Sequence, residues 1–213
     1  MILKIANVTK VIKKTTVVDH VSAKWKSGKV YGLCGYNGCG KTMLMQLIAG
    51  LIKPTSGSIK IDGKELGKDI DFPESIGLLI ENPAFLDNYT GFENLKLIAG
   101  LKNIVTDDEI RESLSRVNLD PDDIRKYKKY SLGMKQRLGI AAAIMEHPDL
   151  ILLDEPTNAL DSDGVALVAK IIQEEKERGA LIVLACHEQQ FLEDAADVIQ
   201  KIEKGKFVEA GDE

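Results

Sequence analysis

The chain has 213 residues, enough to bury a core as one domain with an insertion or as two small domains, and carries 28 Lys and Arg against 33 Asp and Glu. A net charge of −5 gives no general attraction to nucleic acid, which is therefore not an expected partner. No apolar run approaches the roughly 18 residues that span a bilayer, and the N-terminus lacks the shape of a signal peptide, so a soluble, cytoplasmic chain is expected.

Residues 1–30 alternate apolar and polar positions around Ile2, Ile5, Val8, Val17, Val18, Val21 and Trp25, which predicts a small antiparallel sheet. The apolar run 30–34 reads as a buried strand and 43–49 as a helix ended by Gly50. Between them stands Gly35-Tyr36-Asn37-Gly38-Cys39-Gly40-Lys41-Thr42, which fits G-x-x-x-x-G-K-[ST] in the strand–loop–helix setting that this pattern needs. Its glycines let the backbone turn successive N–H groups toward phosphate oxygens, and the following helix adds the positive end of its dipole. Lys41 would reach the β- and γ-phosphates, and the Thr42 hydroxyl would ligate Mg²⁺. The bland alternative is a glycine-rich turn with a chance lysine. Cys34, Cys39 and Cys186 read as reduced, packed thiols. Within the loop, Cys39 is either inert or activated by the helix N-terminus, in which case its oxidation would block nucleotide.

Pro54 and Gly57 mark a turn, 58–61 and 64–66 read as a hairpin across a primed Asp62-Gly63 turn, and 76–80 as a strand. From about 81 to 145 the pattern becomes helical. Thr90 with Glu93 and Thr106 with Glu109 are capping boxes, the second ahead of Ile110, Leu114 and Val117. Arg125-Lys126-Tyr127-Lys128-Lys129 reads as a solvated basic face, with a partner contact as the alternative. Ser131 reads as the N-cap of a helix over 134–145.

Beyond residue 148, buried strands at 150–153 and 181–186 alternate with a helix over 163–178, the mark of a parallel α/β core. A short helix over 188–196 and strands at 198–202 and 206–208 follow. Asp154 and Glu155 stand just past a buried strand, where α/β sheets present ligands. Asp154 suits a Mg²⁺ ligand, and Glu155 suits the group that orients or deprotonates the water attacking a γ-phosphate. Taken alone, the pair is also what a strand running into a helix cap looks like.

Together, the 35–42 loop, Ser131-Leu132-Gly133-Met134-Lys135-Gln136, the 150–157 stretch, Asn158-Ala159-Leu160-Asp161 and His187 resemble, in that order, the five motifs of ATP-binding cassette (ABC) ATPases. The likeness covers nearly the whole chain. It implies an α/β fold: a P-loop NTPase core with a mainly parallel sheet (1–81 and 146–213), an N-terminal antiparallel β subdomain that holds the base, and an inserted helical subdomain (about 82–145), all in one domain. It implies ATP contacts from Gly35, Tyr36, Asn37, Gly38, Cys39, Gly40, Lys41, Thr42 and Met43 of one copy, and from Ser131, Gly133 and Met134 of the other. Glu155, His187 and Lys41 would be catalytic, and Thr42, Asp154 and Glu81 would hold Mg²⁺. A lone histidine such as His187 would otherwise be packing or capping.

Three positions depart from the family pattern. Glu81 stands where Gln is common, adding negative charge beside phosphate. Leu132 replaces a second signature glycine and is expected to crowd the phosphate site or alter its backbone. The adenine-stacking aromatic is missing from Val11-Ile12-Lys13-Lys14, where aliphatic contact is expected instead.

The 80–95 stretch looks most like cassettes of bacitracin and lantibiotic exporters. The resemblance implies a homodimer or pseudo-dimer of ATPase subunits, peripheral at the inner face of the cell membrane, driving a separate integral membrane permease through the helical region 85–100. A nucleotide sensor with little turnover is one alternative. A soluble, non-transport cassette is another, disfavoured because 42 and 131 lie too close for a long coiled coil.

Overall fold

The computed structural model describes residues 1–81 and 83–208. The early alternation folds as a long antiparallel hairpin of β1 (Ile2–Ile12) and β2 (Thr15–Lys26). Leu3 and Ile5 face the core, and a register shift between Ile5 and Val8 adds a residue, so that Val8 rather than Asn7 turns inward. This parity corrects one expectation: Ile2 is 43% exposed, and its neighbour Leu3 is buried. With β4 (Ser56–Ile61) and β5 (Lys64–Glu65) the sheet order is β2-β1-β4-β5. Asp62 and Gly63 both have positive φ, the primed turn expected between these last two strands.

The second sheet holds β3 (Lys29–Cys34), β6 (Ile76–Leu79), β7 (Leu150–Asp154), β8 (Leu181–Ala185), β9 (Val198–Glu203) and β10 (Lys206–Val208) in the order β10-β9-β3-β8-β7-β6. Every pairing is parallel except β9 with β10. The continuous apolar runs are explained by burial on both faces. Leu150, Leu152, Leu181 and Val183 join a core with Trp25, Leu44, Met45 and Ile48, beneath the antiparallel sheet and α1 (Lys41–Ile48). On the other face, Ile151, Leu153, Ile182 and Leu184 pack with Leu138, Ile144 and Ile172, from α4 (Leu132–Ile144) and α5 (Ser162–Arg178). Each such side chain contributes about 1.5–3 kcal/mol by leaving water.

The inserted region supplies α2 (Gly91–Ala99) and α3 (Asp107–Arg116), and both predicted capping boxes form. Their buried residues Leu95, Ile110, Leu114 and Val117 belong to the same core as the sheet face beneath α4. The basic run is only partly a solvated face: Tyr127 is buried in a 3₁₀ turn, while Arg125 and Lys126 pair with Asp123 and Glu93. A short α6 (Gln189–Ala195) follows β8. No helix among the described residues is long and apolar enough to cross a membrane.

Register brings the chemistry together. Ala185 is the Cα partner of both Leu33 and Asp154, so β3, β8 and β7 end level with one another. The loops that follow these ends carry Gly35 to Gly40, Glu155 and His187.

Candidate nucleotide site

A cavity of about 760 Å³ opens at these strand ends, within the usual size of a small-molecule site. Its walls include Asn37, Gly38, Gly40, Lys41, Thr42 and Met43 from the loop and α1, with Glu81, Asp154 and Glu155 opposite. α1 follows its N-cap Gly40 with no side-chain cap, and its first-turn residues Lys41, Thr42 and Met43 line the cavity, the arrangement that an anion site requires. Gly40 has φ 115, and a Cβ there would come within 2.6 Å of the Val17 carbonyl oxygen, so only glycine fits. The nearly buried Lys41 ammonium donates to the Gly35 carbonyl at 2.6 Å, which ties the lysine back to the start of its own loop. Tyr36 is exposed, whereas Cys39 is buried beneath the loop, which favours the inert, packed thiol of the two readings.

The Thr42 hydroxyl donates to Asp154 at 2.5 Å. Burial pushes the Asp154 carboxyl above its ordinary value, and the charges of Glu155 and Glu81 push the same way, against the Thr42 hydrogen bond and Lys41. Glu81 also accepts from Gln46 at 3.4 Å. These oxygen donors suit Mg²⁺, a hard cation. Glu155, Cys186 and His187 bring a carboxylate, a thiol and an imidazole atom within 4.8 Å of one another, a softer donor set.

Glu155 has φ 50, a conformation that costs a non-glycine residue about 1–3 kcal/mol. Its three shortest bonds hold it there. Its N–H donates to Ala185 at 2.7 Å, its carbonyl accepts from the Gln136 side chain at 2.9 Å, and its carboxylate lies 2.7 Å from His187 Nδ1. Such over-determined strain marks a carboxylate held in one orientation.

Ser131, Gly133 and Met134 line a separate concavity with Arg137 and Asp161. Ser131 Oγ accepts from the Met134 N–H at 3.2 Å, and Gly133 lies close against the Ala159 carbonyl oxygen. Asp161 caps α5 by accepting from Gly164 at 2.9 Å. Leu132 starts α4 with ordinary backbone, and its side chain is 72% exposed on the same concavity as Ser131 and Gly133. Val11 and Ile12 lead into a hairpin turn in which Lys13 and Lys14 have positive φ, and Val17 is the nearby aliphatic residue on the cavity wall. Asn82, part of the stretch likened to antibiotic exporters, lies outside the described residues.

The sequence reading gave no role to Val17, nor to the Gln136 side chain. Gln136 is the one polar residue among the buried positions of α4, which also carries Lys135 and Arg137; Val17 carried no signal beyond strand alternation.

Comparison with known proteins agrees with this geometry. The family model described as ABC transporter matches residues 18–158. A Bacillus subtilis (strain 168) protein named uncharacterized ABC transporter ATP-binding protein YybJ is 49% identical, over 96% of this chain and 94% of its own length. The bacitracin transport ATP-binding protein BcrA of Enterococcus faecalis is 39% identical, over 98% of this chain and 68% of its own. The fold is shared with the dimeric post-hydrolysis state of the ATP-binding cassette MJ0796 bound to ADP and Pi, at TM-score 0.88 and 24% identity, covering 97% of each chain. A glycine loop, an uncapped helix start and paired carboxylates converging on one cavity, with a histidine against one of those carboxylates, in a chain matched along most of its length, make this protein a member of the ABC transporter ATP-binding family.

Proposed function

We propose that this chain binds and hydrolyses ATP as the cytoplasmic ATPase subunit of a transporter whose membrane permease is a separate polypeptide. The observation that carries the reading is the meeting of Lys41, the Thr42–Asp154 pair and Glu155 at a single cavity, with His187 against Glu155.

Lys41 and the N–H groups at the start of α1 bind the β- and γ-phosphates. Thr42 and Asp154 would hold Mg²⁺, with Glu81 beside them; bound there, the ion offsets phosphate charge during transfer. Glu155 orients the attacking water and accepts its proton, held in position by Gln136 at its backbone and His187 at its carboxylate. Val17 and the antiparallel sheet lie on the side that receives the base. Ser131, Gly133 and Met134 face the partner copy's nucleotide, so two chains enclose two ATP molecules, and closure and reopening of that dimer drive the permease at the inner face of the membrane. The dimeric relative supports this arrangement, and the likeness to BcrA favours an antibiotic or peptide as cargo.

A second reading, a sensor with little turnover, draws on Glu81, a carboxylate beside the phosphate site that adds to the rise of Asp154. Phosphate release under Mg²⁺-ATP, measured with and without the co-expressed permease, separates the two. Turnover that rises with the permease supports the transporter subunit, and none in either condition supports the sensor.

A further inference from the structure

The phosphate loop has a back as well as a front. On the side away from the cavity it rests on the hairpin of β9 and β10. The Gly205 N–H donates to the Cys39 carbonyl at 2.8 Å, and the Gly205 carbonyl accepts from the Asp19 N–H of β2 at 2.8 Å. One peptide unit on each side of Gly205 thus bridges the loop to the antiparallel sheet. At the start of the loop, a Cβ on Gly35 would come within 2.4 Å of the Ile202 carbonyl oxygen of β9. At its end, a Cβ on Gly40 would lie 3.4 Å from the Gly205 Cα. The hairpin therefore touches the loop at both ends, and Lys206 pairs with Asp19 at 3.1 Å to hold it against β2.

We infer that the β9–β10 turn is a strut that fixes the shape of the phosphate loop, with Gly205 as a positioning residue for nucleotide affinity. The inference rests on the ATP-binding reading above. Gly205 has no room for a side chain: with φ 81, its Cβ would come within 2.8 Å of the Val17 carbonyl oxygen and 3.1 Å of the Val18 Cα. Both neighbours are backbone, so the turn itself must move, taking with it the hydrogen bond to Cys39. Loss of loop geometry weakens phosphate binding because the N–H groups no longer converge on one point.

The molecule contains a matched control. Lys204 and Gly205 have φ 48 and 81; Asp62 and Gly63, in the β4–β5 turn, have φ 47 and 87. The turns are alike, but a Cβ on Gly63 would meet nothing within 4 Å. Gly63→Ala therefore carries the cost of positive φ without touching the loop.

The test is equilibrium binding of a fluorescent ATP analogue, with steady-state kinetics and thermal melts, for wild type, Gly205→Ala and Gly63→Ala. The expected result is a Kd and KM raised roughly five- to tenfold in Gly205→Ala, kcat at saturating ATP within about twofold of wild type, and wild-type binding in Gly63→Ala despite a comparable fall in Tm. Should Gly205→Ala not fold, Gly205→Asn replaces it, since asparagine tolerates positive φ yet keeps the clashing Cβ. Wild-type affinity in the folded Gly205 variant, or an equal loss in Gly63→Ala, overturns the inference while leaving ATP binding intact. A wild-type protein that binds no nucleotide overturns both.

Discussion

Thr42 and Asp154 stand 112 residues apart in the chain, yet the hydroxyl of one donates to the carboxylate of the other at 2.5 Å. Asp154 is nearly buried, and Glu155 and Glu81 add their charges to its surroundings. Its folded value lies above its unfolded one, so the folded state holds this proton more tightly. The group's contribution to stability therefore falls as pH rises from the ordinary carboxylate range through the raised value. Asp154→Asn removes that charge while keeping an oxygen for Thr42. Its Tm is expected to exceed wild type near pH 7 by a few degrees, as about 1 kcal/mol gives in a chain of this size, with the gap closing toward acid. ATP hydrolysis in Mg²⁺ falls at least about tenfold. Melts across pH check the first effect and phosphate release the second; a variant that melts below wild type at pH 7 contradicts the account.

Glu175 is a buried carboxylate of α5 held by two arginines, Arg116 of α3 at 2.9 Å and Arg178 at 2.7 Å. Removing it strands charge: Arg116 is partly buried and, among the described residues, is left with Glu174 at 3.0 Å. Glu175→Ala is expected to lower stability by about 3–5 kcal/mol, read as a shift in the urea midpoint at unchanged m-value. A change below 1 kcal/mol would mean that the network contributes little.

Cys39 sits in the loop sequence but is 1% exposed and packs with Leu44 and Met45 in the core beneath α1. Native iodoacetamide labelling is expected to spare Cys39 and the buried Cys186, with the half-buried Cys34 reacting first, and all three labelling in denaturant. Peptide mass spectrometry reads the order, and rapid native labelling of Cys39 counts against the packed loop.

Most of this architecture is legible in the sequence, because its signals are local. The strands at β7 and β8 declare themselves by continuous apolar runs, and α2 and α3 by capping boxes that both form. The loop from Gly35 to Thr42 declares itself by spacing. What sequence did not show depends on pairing at a distance. The inward turn of Leu3 rather than Ile2 is set by register in β1, and one added residue before Val8 reverses parity thereafter. The Gln136 bond to the Glu155 backbone and the contact of Gly205 with Cys39 exist only once the strand ends align.

Glu155 tests the central claim most directly, since the proposal puts this strained carboxylate, 2.7 Å from His187, on the water that attacks the γ-phosphate. The measurement is steady-state phosphate release by wild type and Glu155→Gln in Mg²⁺-ATP, alongside light scattering of each with and without ATP. The account predicts turnover lowered by about 10²–10⁴-fold in the variant, with ATP binding kept and an ATP-dependent dimer accumulating. Equal turnover in the two proteins, or a variant that stays monomeric at millimolar ATP, would contradict it.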